Sequence, residues 1–487
     1  MRASIYLDHA ASTPLAPEVL AVMRAVLDSG GEFGNPSSIA HGFGRAAAAR
    51  IATARSQLAA LLGAAPIDLV FTSGATESNN LALQGVARAW QGKPGHVVSS
   101  RIEHKSVLDP CQELERLGWQ CSRVRPEADG RVSPEAVSAA LRADTVLVSL
   151  QMANSETGML QPVAEVGALC RARGILFHTD ASQALGKIAI DVSSLPVDLL
   201  SCTAHKIYGP KGVGALWLHP SVRTRVRPLL LGGGQERGLR SGTLATHQIA
   251  GFGAACELAQ KRLTVDAGQL AELTHQLHQR LQALPDVLLN GTLANRLPGI
   301  INFSFPGVEG ESLLARLPGL AVATGSACMS ASGEPSYVLR ALGRDNETAQ
   351  SSLRFSPGRD TQLADIDAAA DQVIKAVHDL RALAAPLPSP VPPWRAGQAG
   401  QRVHGAEATF HIAVTATGAV TAARVSVYGC PDTLRTAAWL VEQLPGRNLE
   451  NLLPSPPTDW VENLQISREK LGKLLVLEDA LRNCLLD

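Results

Sequence analysis

The chain has 487 residues, 45% hydrophobic and 18% charged, enough apolar material for several buried cores and a division into two to four domains. Lysine plus arginine equals aspartate plus glutamate at 44 each, so the basic excess that a nucleic-acid backbone or an anionic membrane surface would attract is missing. No apolar run approaches the ~18 residues of a membrane span, and Met1 leads into the strand-like IYLDHA instead of a signal peptide, which predicts a cytoplasmic protein.

From Asp68 to Trp217 short apolar runs alternate with helical stretches. LVFTS, HVVSS, TVLVSL and GILFHTD read as strands, with LALQGVARAW and VAEVGALCRARG as helices between them. This alternation predicts an α/β fold with a mainly parallel sheet. Such sheets bind ligands at the carboxyl ends of their strands, where the polar clusters TSGATES, NSETG and DASQ fall. A long helical stretch from about Thr246 to Leu284, strands near GIINFSF and LAVAT, and a helix near Leu363 to Leu383 predict a second, smaller α+β domain. Residues 385–403 are rich in Pro, Gly and Ala and predict a linker without regular structure. Beyond it EATFHIAV, a turn at TATG, AARVSVYG and a helix from Pro431 to Gln443 predict an additional small α+β domain. The expected divisions are therefore 1–260, 261–384, 385–403 and 404–487.

Five features carry chemistry. HKIYGPKG places Lys206 in a turn after an apolar segment, where a lysine can form a Schiff base with an aldehyde cofactor, although a surface lysine reads the same way. GATESNN opens a helix whose backbone donors and Thr76 hydroxyl suit a phosphate, or simply cap the helix. Asp180 ends GILFHTD and can pair with a protonated pyridine nitrogen or cap the next helix. His104, after HVVSS, can stack on a ring and exchange protons near neutral pH, though a lone histidine is usually structural. ATGSACMSAS surrounds Cys328 with small and hydroxyl residues, which predicts an accessible loop and a reactive thiol. The seven other cysteines are scattered without a CxxC pair and read as buried thiols of a reducing compartment. Together these residues point to pyridoxal phosphate and a nucleophilic cysteine attacking a heteroatom of an amino acid.

YLDHAAST, GNPSS, FTSGATESNN, EHKSVLD, HTDASQALGK, HKIYGPKG, RSGTLATHQI, GSACMSASGEPSYVLRALG and SLRFSPGR, in that order, resemble the cysteine desulfurases of the IscS/NifS type within the class V aminotransferases. The resemblance covers residues 5 to about 385. It implies a fold-type I pyridoxal-phosphate enzyme, a homodimer with a large and a smaller domain, in which Lys206 holds the cofactor and L-cysteine displaces it. Ala75, Thr76, Thr203 and His205 would hold the phosphate, with Thr243 of the partner subunit reaching the same group. His104 would stack on the ring, Asp180 would pair with its nitrogen and Gln183 would bond its hydroxyl. Asn35 and Arg354 would clamp the substrate carboxylate, and Cys328 would take the sulfur as a persulfide, releasing alanine and passing sulfur to an acceptor protein such as an iron-sulfur scaffold. Ser155 stands where the family usually has a second asparagine.

The tail VSVYGCPDTLRTAAWLVEQLPGRNLENL is similar to iron-sulfur scaffold proteins of the IscU/NifU type, which hold a cluster with three cysteines. Only Cys430 is kept; His404 and a position near Lys473 stand for the others, and Ala406 for the neighbouring aspartate, so the resemblance implies a degenerate scaffold without a metal. Two other functions fit the residues: a related pyridoxal-phosphate lyase or aminotransferase, such as one acting on selenocysteine, and a regulatory protein that keeps the fold.

Overall fold

The computed structural model describes residues 4–324 and 334–486. The chain opens with strand β1 (Ile5–Tyr6) and helices α1 (Pro17–Leu27) and α2 (Gly42–Leu62). It then alternates β2 (Leu69–Thr72), α3 (Ala75–Ala89), β3 (His96–Ser100), α4 (Lys105–Arg116), β4 (Gln120–Val124), α5 (Pro134–Ala140), β5 (Thr145–Ser149), α6 (Val163–Ala172) and β6 (Leu176–Asp180), and continues through β7 (Leu199–Thr203) and β8 (Gly214–Leu218). These strands form one sheet in the order β2-β8-β7-β6-β5-β3-β4. Strands β3 to β7 pair in parallel, while β8 runs antiparallel to both β7 and β2. Strands β2, β3, β5, β6, β7 and β8 are buried along their whole length, as their near-continuous apolar runs require when helices cover both faces. One face packs against α2, α6 and α7 (Thr246–Leu281) and the other against α3 and α4, giving two cores on either side of the sheet.

Helix α7 runs without interruption into the second unit, where its C-terminal half contributes Leu270, Leu273, Leu277 and Leu281 to a separate core. That unit holds β9 (Leu288–Leu289), β10 (Ile301–Ser304), α8 (Gly310–Ala315), β11 (Leu320–Ala321), β12 (Ala323–Thr324), α9 (Tyr337–Ala341), α10 (Asn346–Gln350), β13 (Ser352–Phe355) and α11 (Leu363–Leu383). Its sheet is antiparallel, in the order β12-β13-β10-β9, and β11 pairs in parallel with β1, tying the N-terminus to it.

The predicted linker is corrected by the structure. Its second half is strand β14 (Trp394–Gln401), paired antiparallel along its full length with β15 (Ala406–Val414), which in turn pairs with β16 (Val420–Gly429). The composition misled because glycine serves close packing there: a Cβ on Gly397 would lie 2.2 Å from the Ala480 carbonyl of α14 (Leu471–Asn483). With α12 (Pro431–Gln443) and α13 (Pro457–Asn463), α14 covers the three-stranded sheet around Phe410, Leu440, Trp460 and Leu477. This C-terminal unit sits on the second unit. Ser312 Oγ of α8 donates to the Gly429 carbonyl at 2.7 Å, Lys470 pairs with Glu311 at 2.7 Å, and Leu434 packs against both cores.

Candidate active site

The carboxyl ends of β2, β5, β6 and β7 and the loop after β3 open into one cavity of about 600 Å³. Ser73–Glu77 lines it after β2, His104 after β3, Gln151 and Ser155 after β5, Asp180 to Gln183 after β6, and Thr203 to Lys206 after β7. Asp8 and Arg354 close its outer side, from the N-terminal segment and β13. Of the sequence-predicted residues, Ala75, Thr76, His104, Asp180, Gln183, Thr203, His205, Lys206 and Arg354 all line this cavity. A neighbouring hollow of about 550 Å³ around Tyr6 and Asp360 shares only Ser12 and Lys211 with it and holds none of these groups.

Asp180 sits at the bottom, 8% exposed. Its Oδ1 accepts from the Ser182 backbone N at 2.9 Å and from the Ser182 hydroxyl, and its Oδ2 accepts from Asn79 Nδ2 at 2.8 Å. Burial alone would push this carboxyl up, but the Ser182 hydrogen bonds, the Lys206 charge and Asn79 together hold it below the ordinary value, so it stays ionised. Asn79 Nδ2 also donates to Ser106 Oγ at 2.8 Å, and Ser106 bonds His104 Nδ1 at 2.8 Å. One network thus fixes both Asp180 and the imidazole. Burial and the Lys206 charge lower the His104 pKa, leaving a neutral ring. His205 is pushed down to about 4 by burial and by Lys206, Lys211 and Lys187.

Helix α3 begins at Ala75 behind Gly74, whose φ of 154° suits a glycine and which offers no side-chain cap. The first turn therefore points its backbone N–H groups at the cavity, an anion site by construction. Arg354 is 5% exposed; it donates to Asp8 Oδ1 at 2.6 Å and to the Ser155 carbonyl at 2.8 Å, and its buried Nε has no hydrogen-bond partner among the described residues. An uncapped helix start, an ionised buried carboxylate, a neutral histidine and a lysine in one cavity fit pyridoxal phosphate: the start of α3 would hold its phosphate, Asp180 its pyridine nitrogen and Lys206 its aldehyde.

Two expected residues are not brought to the cavity of this chain. Asn35 is exposed and its Oδ1 accepts from the Ser37 backbone N at 2.9 Å, closing a turn ahead of α2. Thr243 is exposed as well and stands outside the cavity. Cys328 lies outside the described residues. Sequence reasoning missed Asp8, Asn79 and Ser182, although YLDHA, GATESNN and HTDASQALGK contain them. The usable signal was a polar residue at a buried position, such as Asn79 on the inner face of α3.

The class-V aminotransferase family matches residues 5–369. Cysteine desulfurase IscS of Azotobacter vinelandii is 49% identical over 383 residues, 79% of this chain and 95% of that protein. The chain belongs to the cysteine desulfurases of the class-V aminotransferase family. Among solved structures, a NifS-like protein aligns with a TM-score of 0.72 at 33% identity, covering 77% of this chain and all of that one. A structure of SspA in complex with cysteine aligns with a TM-score of 0.64 at 36% identity over 73% of this chain and 99% of the other. The class-V match ends at residue 369, ahead of the C-terminal unit.

Proposed function

We propose that the protein converts L-cysteine to L-alanine with pyridoxal phosphate and delivers the sulfur to Cys328 as a persulfide. The observation that carries this reading is the convergence of Lys206, Asp180, His104 and the open start of α3 on one cavity with Arg354 at its rim. When bound, pyridoxal phosphate supplies an electron sink next to the substrate's α-carbon. Lys206 holds the cofactor; Ala75, Thr76, Thr203 and His205 bind its phosphate, joined by Thr243 of the partner subunit in a homodimer. Asp180 keeps the pyridine nitrogen protonated and the Gln183 amide bonds the ring hydroxyl. The Arg354 guanidinium takes the substrate carboxylate, with Asn35 as its helper. His104, neutral and held by Ser106, is placed to move a proton at its free nitrogen.

The Cys328 thiolate attacks the substrate sulfur. An S–S bond forms on Cys328, the substrate's Cβ–S bond breaks with its electron pair staying on carbon, and protonation of that carbon yields alanine. The test is a single turnover: with L-cysteine the protein should release one alanine per persulfide trapped on Cys328, and Cys328→Ser should bind the cofactor yet trap none. Persulfide on another cysteine of the variant would refute the assignment.

The sulfur then passes to an acceptor such as an iron-sulfur scaffold in the cytoplasm. The C-terminal unit is a degenerate scaffold that serves for docking instead of chemistry. Two observations support this. Lys473 reaches Gly405, beside His404, where a metal ligand would be expected, and Lys470 and Lys473 face Glu311 and Glu309 of the second unit. A cut at about residue 390 should leave an active enzyme that passes sulfur to a separate scaffold faster than the full chain; equal rates would refute the docking role.

A further inference from the structure

Among the described cysteines, Cys121 alone is not buried. It lies on β4, directly after the turn that ends α4. The Trp119 N–H donates to the Leu114 carbonyl at 3.0 Å and closes that turn, so β4 returns beside the helix it follows. The return lays Cys121 against Cys111 of α4. Cys121 Sγ donates to the Cys111 carbonyl at 3.3 Å, and the two thiols interact directly. Cys111 belongs to the core that α3 and α4 build on the sheet, with Val97, Val107 and Leu114, and Cys121 packs against that core from its rim.

The second observation is access. Cys111 is fully buried, whereas Cys121 lines a surface hollow of about 760 Å³ that shares no lining residue with the cofactor cavity. Arg101, Lys105, Arg123, Arg125 and Arg340 line the same hollow against two carboxylates, Asp109 and Glu115. Arg123 and Glu115 neutralise one another through two hydrogen bonds of 2.8 Å, and the cations that remain outnumber Asp109. Such surroundings favour a thiolate over a thiol. As a thiol Cys121 donates to the Cys111 carbonyl; as a thiolate it accepts from the Cys111 S–H, and this contact lowers its pKa from the ordinary value against the opposing effect of burial. The pair is therefore divided: one sulfur meets solvent, and the other is shielded beside it.

We propose that Cys121 and Cys111 form an oxidisable dithiol, a modification site for hydroperoxides that is separate from the desulfurase cavity. The Cys121 thiolate attacks one peroxide oxygen, the O–O bond breaks, and the leaving hydroxide or alkoxide takes a proton; Cys121 becomes a sulfenic acid. The Cys111 sulfur then attacks the Cys121 sulfur, an S–S bond forms, the S–O bond breaks, and water leaves with the Cys111 proton. Two thiols and one hydrogen peroxide thus give one disulfide and two waters, the sulfurs being oxidised and the peroxide oxygens reduced. Neither the cofactor nor Cys328 takes part. Because Cys111 already touches the oxidised sulfur, condensation precedes attack by a second peroxide, and the product stays on the reversible part of the thiol oxidation ladder.

The experiment treats the full-length, reduced chain with a rising series of hydrogen peroxide, blocks the remaining thiols by alkylation and digests with trypsin without reductant. Cleavage after Lys105, Arg116 and Arg123 puts the two cysteines in separate peptides, Ser106–Arg116 and Leu117–Arg123. The expected product is these two peptides joined by a disulfide and separated again by dithiothreitol. In Cys111→Ala the Cys121 sulfenic acid has no thiol to condense with, so its trapping by dimedone should rise several-fold over wild type. In Cys121→Ser the thiol at Cys111 should stay reduced at the doses that link the wild-type pair. Both peptides recovered as alkylated thiols at every dose below the one that unfolds the chain would overturn the proposal. So would Cys121 recovered as sulfinic acid or joined to a different cysteine. Equal dimedone trapping in wild type and Cys111→Ala would overturn the assignment of Cys121 as the attacking sulfur. The linked peptide is read in the wild-type chain itself, so a variant that fails to fold leaves the decisive measurement in place.

Discussion

Glu156 is a carboxyl with no counter-charge in hydrogen-bonding contact. It is 6% exposed, and among the described residues its side chain takes one hydrogen bond, from Ser336 Oγ at 2.5 Å. Burial raises its pKa from 4.5 to about 7, against the smaller pull of the Ser336 hydrogen bond and Arg354. The folded state therefore holds the proton more tightly than the unfolded chain does. Stability from this group is fully present below pH 4.5 and is lost as pH rises through 7. At about 1.4 kcal/mol per decade of proton affinity the loss amounts to ~3 kcal/mol once both values are passed. Glu156→Gln removes the titration while keeping the shape and a partner for Ser336. Thermal unfolding from pH 5 to 8 should show variant and wild type close together at pH 5 and the variant more stable by several degrees at pH 8. A difference that does not change with pH, or a variant that falls below wild type at pH 8, would refute the reasoning. The site gives the result functional weight: Ser336 caps α9, and Glu156 follows Ser155, whose carbonyl positions Arg354.

Lys206→Ala should abolish the visible absorption of bound cofactor and all turnover while the melting temperature stays near wild type; an unchanged spectrum refutes the cofactor assignment. Arg354→Lys keeps the charge but loses the fork, and the loss of a charged hydrogen bond of ~1.5–3 kcal/mol should lower kcat/KM for L-cysteine by about 10- to 100-fold, chiefly through KM. A KM equal to wild type would remove Arg354 from substrate binding. Ser155→Asn, tested by cofactor absorption against pH, should shift the titration modestly without changing the fold, because the Arg354 contact uses the Ser155 backbone carbonyl and survives the change. A curve identical to wild type would show that the residue 155 side chain does not face the cofactor.

The large sheet was legible because its strands are buried on both faces and separated by amphipathic helices: LVFT, HVVSS and LFHTD stand out from any surface segment. The site was legible for the same reason, since a polar cluster directly after a buried run marks the sheet edge where the chain turns and a ligand can enter. Side chains that act through others left little trace. Asn79 looks like an ordinary helix residue until α3 is packed and its amide reaches Asp180 at 2.8 Å. Asn35 was assigned by resemblance alone, and nothing in the local sequence says where it points. β14 was lost because alanine and glycine read as looseness, whereas here they let α14 approach the strand.

The docked C-terminal unit combines contacts of unequal strength. The Ser312–Gly429 hydrogen bond is buried and contributes about 1 kcal/mol, while the Lys470–Glu311 pair has side chains 28% and 54% exposed and contributes between roughly 0 and 1 kcal/mol. Leu434 adds an apolar contact shared by two cores. Between two separate molecules such contacts would hardly offset the entropy of association. Within one chain the ends are already joined: α11 stops at Leu383 and β14 starts at Trp394, so only a short proline-rich segment separates the two folded units. That tether holds the unit at an effective concentration in the millimolar range, high enough for weak contacts to persist and low enough for a competing surface to displace them. Cis attachment thus makes occupancy of the α8 face depend on the tether more than on the interface, so severing the chain near residue 390 should perturb docking far more than any single substitution in the contact.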